Sequence, residues 1–130
     1  MFNACWSRET SSDPDGWTPE NSSYGHCALA TLAAQEMFDG KLLRYDLKGT
    51  PYEHMGSHYK LRLPDGIILD FTEAQFQGKP PVWGEPKVRT RDELLDPAIN
   101  PRNQETRDRY TLFMRHINSW LTEIEKVPKR

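Results

Sequence analysis

Several features that would commit this chain to a particular partner or compartment are scarce or missing. Cysteine occurs only twice in 130 residues, at Cys5 and Cys27. That is too few for the disulfide framework of a small secreted scaffold, so both are expected to be free thiols in the cytoplasm. The first ten residues, Met-Phe-Asn-Ala-Cys-Trp-Ser-Arg-Glu-Thr, contain no apolar run, and neither a signal peptide nor a membrane span is expected. Charge of one sign never accumulates: 17 basic against 19 acidic residues leave a net −2, which argues against nucleic acid or an anionic membrane as partner. The basic stretch from Lys126 to Arg130 reads as a solvated tail. No repeat or change of composition divides the chain, so a single domain over residues 1–130 is expected, and nothing calls for a cofactor or metal.

The first stretch of the chain is dense in Ser, Asp, Pro, Gly and Asn from Ser7 to Ser23 and reads as loop. Trp6 and Trp17 bracket it and are expected to anchor it to the body of the protein. From Gly25 to Phe38 the composition changes to Ala, Leu, Gln, Glu and Met, the pattern of a central helix, with Ser22 and Ser23 as candidate N-caps and Asp39-Gly40 as its end. Three strand-like segments follow. Lys41 to Leu47 is the first. Ser57 to Leu63 alternates His58, Lys60 and Arg62 against Tyr59, Leu61 and Leu63, and Ile67 to Phe71 returns after the turn Pro64-Asp65-Gly66. Thr72 to Phe76 reads as a helical turn with a capping box between Thr72 and Gln75. The proline-punctuated stretch from Gly78 to Pro101 reads as irregular, with one turn of helix at Arg91 to Leu95. Finally Tyr110, Phe113, Met114, Ile117, Trp120, Leu121 and Ile124 form one stripe of a long amphipathic helix, roughly Asn103 to Lys126. The expected class is α+β: a Cys-bearing central helix on a small antiparallel sheet, with a long C-terminal amphipathic helix.

Three of these residues make a chemical constellation. Cys27 opens the central helix, where unpaired backbone N–H groups and the positive end of the helix dipole favour thiolate over thiol. His58 lies on the second strand. With Pro64, Asp65 and Gly66 as the turn, His58 faces residues 71 to 73, which leaves Asp70 on a reachable diagonal. A carboxylate beside His58 fixes its tautomer and favours the imidazolium, and a histidine beside a cysteine is the base that a nucleophilic thiol requires. The competing readings are a buried, inert Cys27, and a Cys/His zinc site built on the His54-x-x-x-His58 spacing. Gly56 interrupts that spacing. His54 and His116 are otherwise left out of the site.

The segments Cys5-Trp-Ser-Arg-Glu-Thr, Trp17-Thr-Pro-Glu-Asn-Ser-Ser-Tyr-Gly-His-Cys27-Ala-Leu-Ala, Gly56-Ser-His58-Tyr and Leu63-Pro-Asp-Gly-Ile-Ile-Leu-Asp70-Phe-Thr together resemble the YunG-like family of small bacterial proteins. The resemblance covers roughly Cys5 to Gln77. It implies a papain-like or transglutaminase-like core with Cys27 as nucleophile, His58 as base and Asp70 as its orienter. The family pattern has Gln before the cysteine where this chain has His26, so His26 is one candidate oxyanion donor. Asn21, six residues before Cys27, is a second, and the Cys27 backbone N–H is a third. The implied activity is cysteine-dependent amide hydrolysis or acyl transfer through a thioester, on a peptide, amide or acyl substrate that the residues do not identify. The alternative is a binding or regulatory module with an idle triad, its surface drawn from Trp6, Trp17, Tyr24 and Trp83.

Overall fold

A computed structural model describes residues 5–125 of the chain, without the side chains of residues 124 and 125. The expected basic tail from Lys126 to Arg130 and the Ile124 side chain at the end of the expected apolar stripe therefore lie outside the described residues. The elements in chain order are helix α1 (Cys27–Phe38), strands β1 (Lys41–Asp46), β2 (Ser57–Arg62), β3 (Ile68–Leu69) and β4 (Lys87–Arg89), and helices α2 (Arg91–Leu95) and α3 (Asn103–Glu125). Two 3₁₀ turns, Glu53–Met55 and Glu73–Phe76, lead into β2 and out of β3. The four strands form an antiparallel sheet in the order β3-β2-β1-β4. The class is α+β, as the alternation of strand-like and helical patterns implies.

Helix α1 ends at Asp39-Gly40 because Gly40 must do two things that a larger residue cannot. Its φ is +116°, and a Cβ there would lie 2.5 Å from the Arg62 carbonyl oxygen as the chain turns back beside β2. The turn at Pro64-Asp65-Gly66 sets the β2–β3 register as Leu61 opposite Leu69 and Arg62 opposite Ile68, which extrapolates to His58 opposite Thr72. Strand β3 is shorter than the expected Ile67 to Phe71, since the chain leaves the ladder after Leu69 and turns at Asp70.

Three further expectations are corrected. Neither Ser22 nor Ser23 caps α1: the N-cap is His26, with no side-chain cap bond, while the Ser23 carbonyl receives the His26 N–H. Thr72 and Gln75 do not form a capping box. The Gln75 side chain instead donates to the Thr72 hydroxyl at 3.1 Å and continues toward β2. Lys87–Arg89, inside the stretch expected to be irregular, is a strand paired with Leu42, Leu43 and Arg44 of β1. The expected single turn at Arg91–Leu95 is α2, opened by a capping box between Thr90 and Glu93.

Strand β1 is covered on both faces, which is why its Leu42, Leu43 and Tyr45 are all buried rather than alternating. One face packs on α1, whose Leu29, Leu32 and Ala33 join Leu42, Leu61, Phe113 and Ile117 in the main core. Here α3 contributes most of the expected stripe, with Phe113 and Ile117 buried and Tyr110, Met114 and Trp120 packed at its margin, while Leu121, expected in the same stripe, is exposed. Trp6 anchors the N-terminal loop to that core, stacked on Phe113 at a centroid distance of 5.5 Å. Trp17 holds the loop internally, donating from its indole to the Ser22 carbonyl at 2.9 Å. Arg91 at the start of α2 ties the helices together, donating to the Leu32 carbonyl, Gln35, Glu36 and the Tyr110 hydroxyl at 2.8–3.2 Å. The other face of the sheet carries an aromatic cluster of Tyr45, Phe76, Trp83 and His58.

Candidate functional site

Cys27 is the first residue of α1, held there by the loop before it. Gly25 has φ +78° and sits so close to Ser11 and Ser12 that a Cβ would meet the Ser11 hydroxyl at 2.1 Å. The Ser12 N–H donates to the Gly25 carbonyl at 3.0 Å, and the Ser11 hydroxyl donates to the Tyr24 carbonyl at 2.9 Å. The polar loop thus fixes the start of the helix. The Cys27 thiol points toward the Ser57 carbonyl at 4.0 Å, at the head of β2, and is near enough to the next residue, His58, to help raise its pKa. Cys5, the other cysteine, is buried, and no disulfide joins it to Cys27.

His58 is fully buried, yet both ring nitrogens are engaged. Nε2 lies 2.8 Å from Asp70 Oδ2, and Nδ1 lies 3.1 Å from the Gln75 amide nitrogen. Asp70 is fixed in turn by its second oxygen, which accepts the Thr72 N–H at 3.1 Å. The ring is clamped by Trp83, stacked at 5.1 Å, and Phe76, edge-on at 5.0 Å. Burial, the largest influence on the imidazole, pulls its pKa down. Hydrogen bonding and charge from Asp70 and Cys27 more than offset this and push it up to about 9 from the ordinary 6.5. Lys60 lies over Trp83 at 3.8 Å, and desolvation lowers its pKa despite the nearby Asp70 and Glu73.

Cys27 opens into a cleft of about 490 Å³ lined by Ser12, Asp13, Tyr24, Gly25, His54, Met55, Ser57 and Gln75. Tyr24 donates its hydroxyl to Asp13 at 2.7 Å, and its pKa is pushed up to about 12 by desolvation and that carboxylate. His54, left outside the site on sequence grounds, lies on this wall. It sits in a 3₁₀ turn, and His58 sits on a strand. Among the described residues, no three His, Cys, Asp or Glu side chains are grouped to hold a metal ion.

The two side chains considered as oxyanion donors go elsewhere. His26 is fully buried and turned into the core, against Trp6 and Phe113. One ring nitrogen lies 2.6 Å from the Thr10 hydroxyl and the other 3.0 Å from the Tyr24 carbonyl. Burial, with a contribution from the charge of Arg109, lowers its pKa to about 4, so it is neutral at ordinary pH. Asn21 donates its amide to the Gln75 carbonyl at 3.1 Å, bracing the loop against the 3₁₀ turn. Gln75 is the site residue that sequence reasoning missed. It is 4% exposed and lines the cleft, and its side chain links His58 to the loop before Cys27: amide nitrogen on His58, amide oxygen accepting the Gly25 N–H at 3.4 Å. Only its spacing from Thr72 was visible in the sequence, and that spacing points to a cap.

The match to known proteins covers the whole of this constellation. The family model described as YunG protein matches residues 1–122. The chain belongs to the YunG family. A relative described as "Uncharacterized protein YunG", from Bacillus subtilis (strain 168), is 30% identical over 114 residues, covering 88% of this chain and 86% of that protein. No solved structure matches. Family membership spans α1, the whole sheet and most of α3, and so includes every side chain described above.

Proposed function

We propose that this YunG-family protein is a cysteine-dependent amide hydrolase or acyltransferase, with Cys27 as nucleophile, His58 as base and Asp70 as the group that orients it. The observation that carries the reading is the fully buried His58, bonded to Asp70 at 2.8 Å through Nε2, with the Cys27 thiol beside it at the wall of a cleft. A buried imidazole tied to a carboxylate on one side and a thiol on the other is the arrangement that draws a proton off sulfur. The analogy is to a papain-like or transglutaminase-like core, in which a cysteine-bearing helix meets a sheet that brings histidine and a carboxylate.

In this mechanism the thiol proton passes to His58, and the thiolate attacks the acyl carbon of a peptide, amide or other acyl substrate. The oxyanion that forms is met by the backbone N–H of Cys27 at the start of α1, because the side chains of Asn21 and His26 are committed elsewhere. Collapse breaks the bond to the leaving amine, which takes the proton from His58 and leaves a thioester on Cys27. Water or an acceptor amine then attacks the thioester, giving hydrolysis or acyl transfer. No metal or cofactor enters, and the reduced thiol suits the cytoplasm.

The test is to offer the protein an activated ester, p-nitrophenyl acetate, and measure intact and peptide mass. Acetylation confined to Cys27, abolished by Cys27→Ser and slowed at least tenfold by His58→Ala, supports the reading. Equal acetylation of Cys27 in the His58→Ala protein contradicts it.

A further inference from the structure

We infer that Gln75 is a positioning residue that acts through His58, as a latch that opposes transfer of the Cys27 proton to the base until a ligand enters the cleft. This rests on the reading of Cys27 and His58 as nucleophile and base. It concerns what keeps that pair in check.

The direction of the Gln75 amide fixes which nitrogen of His58 is bare. Its oxygen lies 3.4 Å from the Gly25 backbone nitrogen, and its nitrogen lies 3.1 Å from both the Thr72 hydroxyl and His58 Nδ1. A backbone N–H can only donate, so the amide oxygen belongs on Gly25 and the NH₂ belongs on Nδ1. Nδ1 is then an acceptor, and the ring proton sits on Nε2, facing Asp70. A proton taken from Cys27 must therefore go onto Nδ1, the atom the amide already occupies as donor.

Two donors cannot face each other at this distance in a buried site. Before His58 carries its second proton, the amide has to leave Nδ1, giving up bonds to His58 and Thr72. Burial pulls the imidazole down and Asp70 and Cys27 push it up toward about 9; a hydrogen bond to the neutral form of a base disfavours its charged form, so the amide on Nδ1 holds the latched ring below that value. The charged or titratable groups bearing on His58 are Asp70 at the end of β3, Cys27 on α1, and Lys60 of β2 across the stacked Trp83. Gln75, by contrast, is a neutral side chain that does not titrate and lies on the proton-accepting atom. Because it also lines the cleft, a ligand carrying a hydrogen-bond acceptor there can take up the amide N–H and free Nδ1. A substrate carbonyl is such an acceptor, so occupancy of the cleft and activation of the thiol are linked.

The experiment is the rate of Cys27 alkylation by iodoacetamide from pH 4.5 to 9, read by peptide mass, in the wild-type chain, Gln75→Met and His58→Ala. Alkylation needs the thiolate but no oxyanion donor, so it isolates the latch. Removing a neutral hydrogen bond from Nδ1 is expected to accelerate Gln75→Met about threefold to tenfold on the acid side and to move the acid limb down by about half to one pH unit. A folded Gln75→Met protein that alkylates more slowly, or whose acid limb stays put, overturns the latch while leaving the nucleophile reading intact. If His58→Ala alkylates as fast as wild type, the nucleophile reading itself fails and the latch falls with it. Should Gln75→Met not fold, the wild-type chain decides by NMR: the Gln75 side-chain amide signals must shift with the same midpoint as the His58 ring nitrogens. Amide signals that ignore the His58 titration overturn the proposal.

Discussion

Replacing Asp70 by Asn tests the energetics of the site without changing its shape. In the wild-type chain the interval between 6.5 and about 9 for His58 corresponds to roughly 3.4 kcal/mol, at 1.36 kcal/mol per pH unit. The hydrogen bond from Asp70 is the largest single upward influence, a charge-assisted bond of 2.8 Å with a carboxylate that is itself only 9% exposed. About 2 kcal/mol is therefore assigned to it, within the roughly 1.5–3 kcal/mol range of hydrogen bonds to charged groups. The sign follows from the direction of the shift. A histidine whose pKa is higher in the folded state stabilises it fully below about 6.5, and that contribution disappears as pH rises through about 9. Asp70→Asn is thus expected to be less stable than wild type by about 2 kcal/mol at pH 6 and by less than about 1 kcal/mol at pH 9.5. Urea unfolding at the two pH values, followed by tryptophan fluorescence, measures the gap. A gap of equal size at both would mean that Asp70 acts through packing and its bond to the Thr72 N–H alone, and would refute the electrostatic reasoning.

Three further perturbations bear on the frame around the site. His26, held neutral at about 4, works in the opposite sense to His58: its contribution is present above 6.5 and is lost as pH falls toward 4. His26→Asn should accordingly flatten the acid limb of a stability–pH curve, and an unchanged limb would contradict the assignment. Gly25→Ala places a methyl group 2.1 Å from Ser11 at a φ of +78°, and should cost at least about 2 kcal/mol by denaturant unfolding. Arg91→Met removes four hydrogen bonds between α2, α1 and α3 and should cost about 1–3 kcal/mol, with no effect on the pH profile of Cys27 alkylation.

The parts of the fold that were legible in the sequence are those set by local signals. The stripe of α3 repeats at helical spacing, and the Pro64-Asp65-Gly66 turn fixes a register in which Asp70 falls near His58. What was not legible came from the tertiary environment. Lys87–Arg89 is a strand because β1 offers it an open edge; three residues after Pro86 carry no pattern of their own. Strand β1 does not alternate because Trp83 and its aromatic neighbours cover its second face, and Trp83 alone in a proline-rich stretch reads as surface. Gln75 was hidden for a related reason. Its partners, His58, Gly25 and Asn21, lie 17, 50 and 54 residues away in sequence. His26, adjacent to Cys27, reads as a site residue until the helix geometry turns its ring into the core.

The proposed function requires Cys27 to be an activated thiol whose reactivity depends on His58. The most direct measurement is the rate of Cys27 alkylation by iodoacetamide at pH 6, against free cysteine and against the His58→Ala protein. Alkylation is expected to be at least tenfold faster than that of free cysteine, falling to or below the free rate when His58 is removed. Alkylation no faster than free cysteine, in a folded protein and unchanged by His58→Ala, would contradict it.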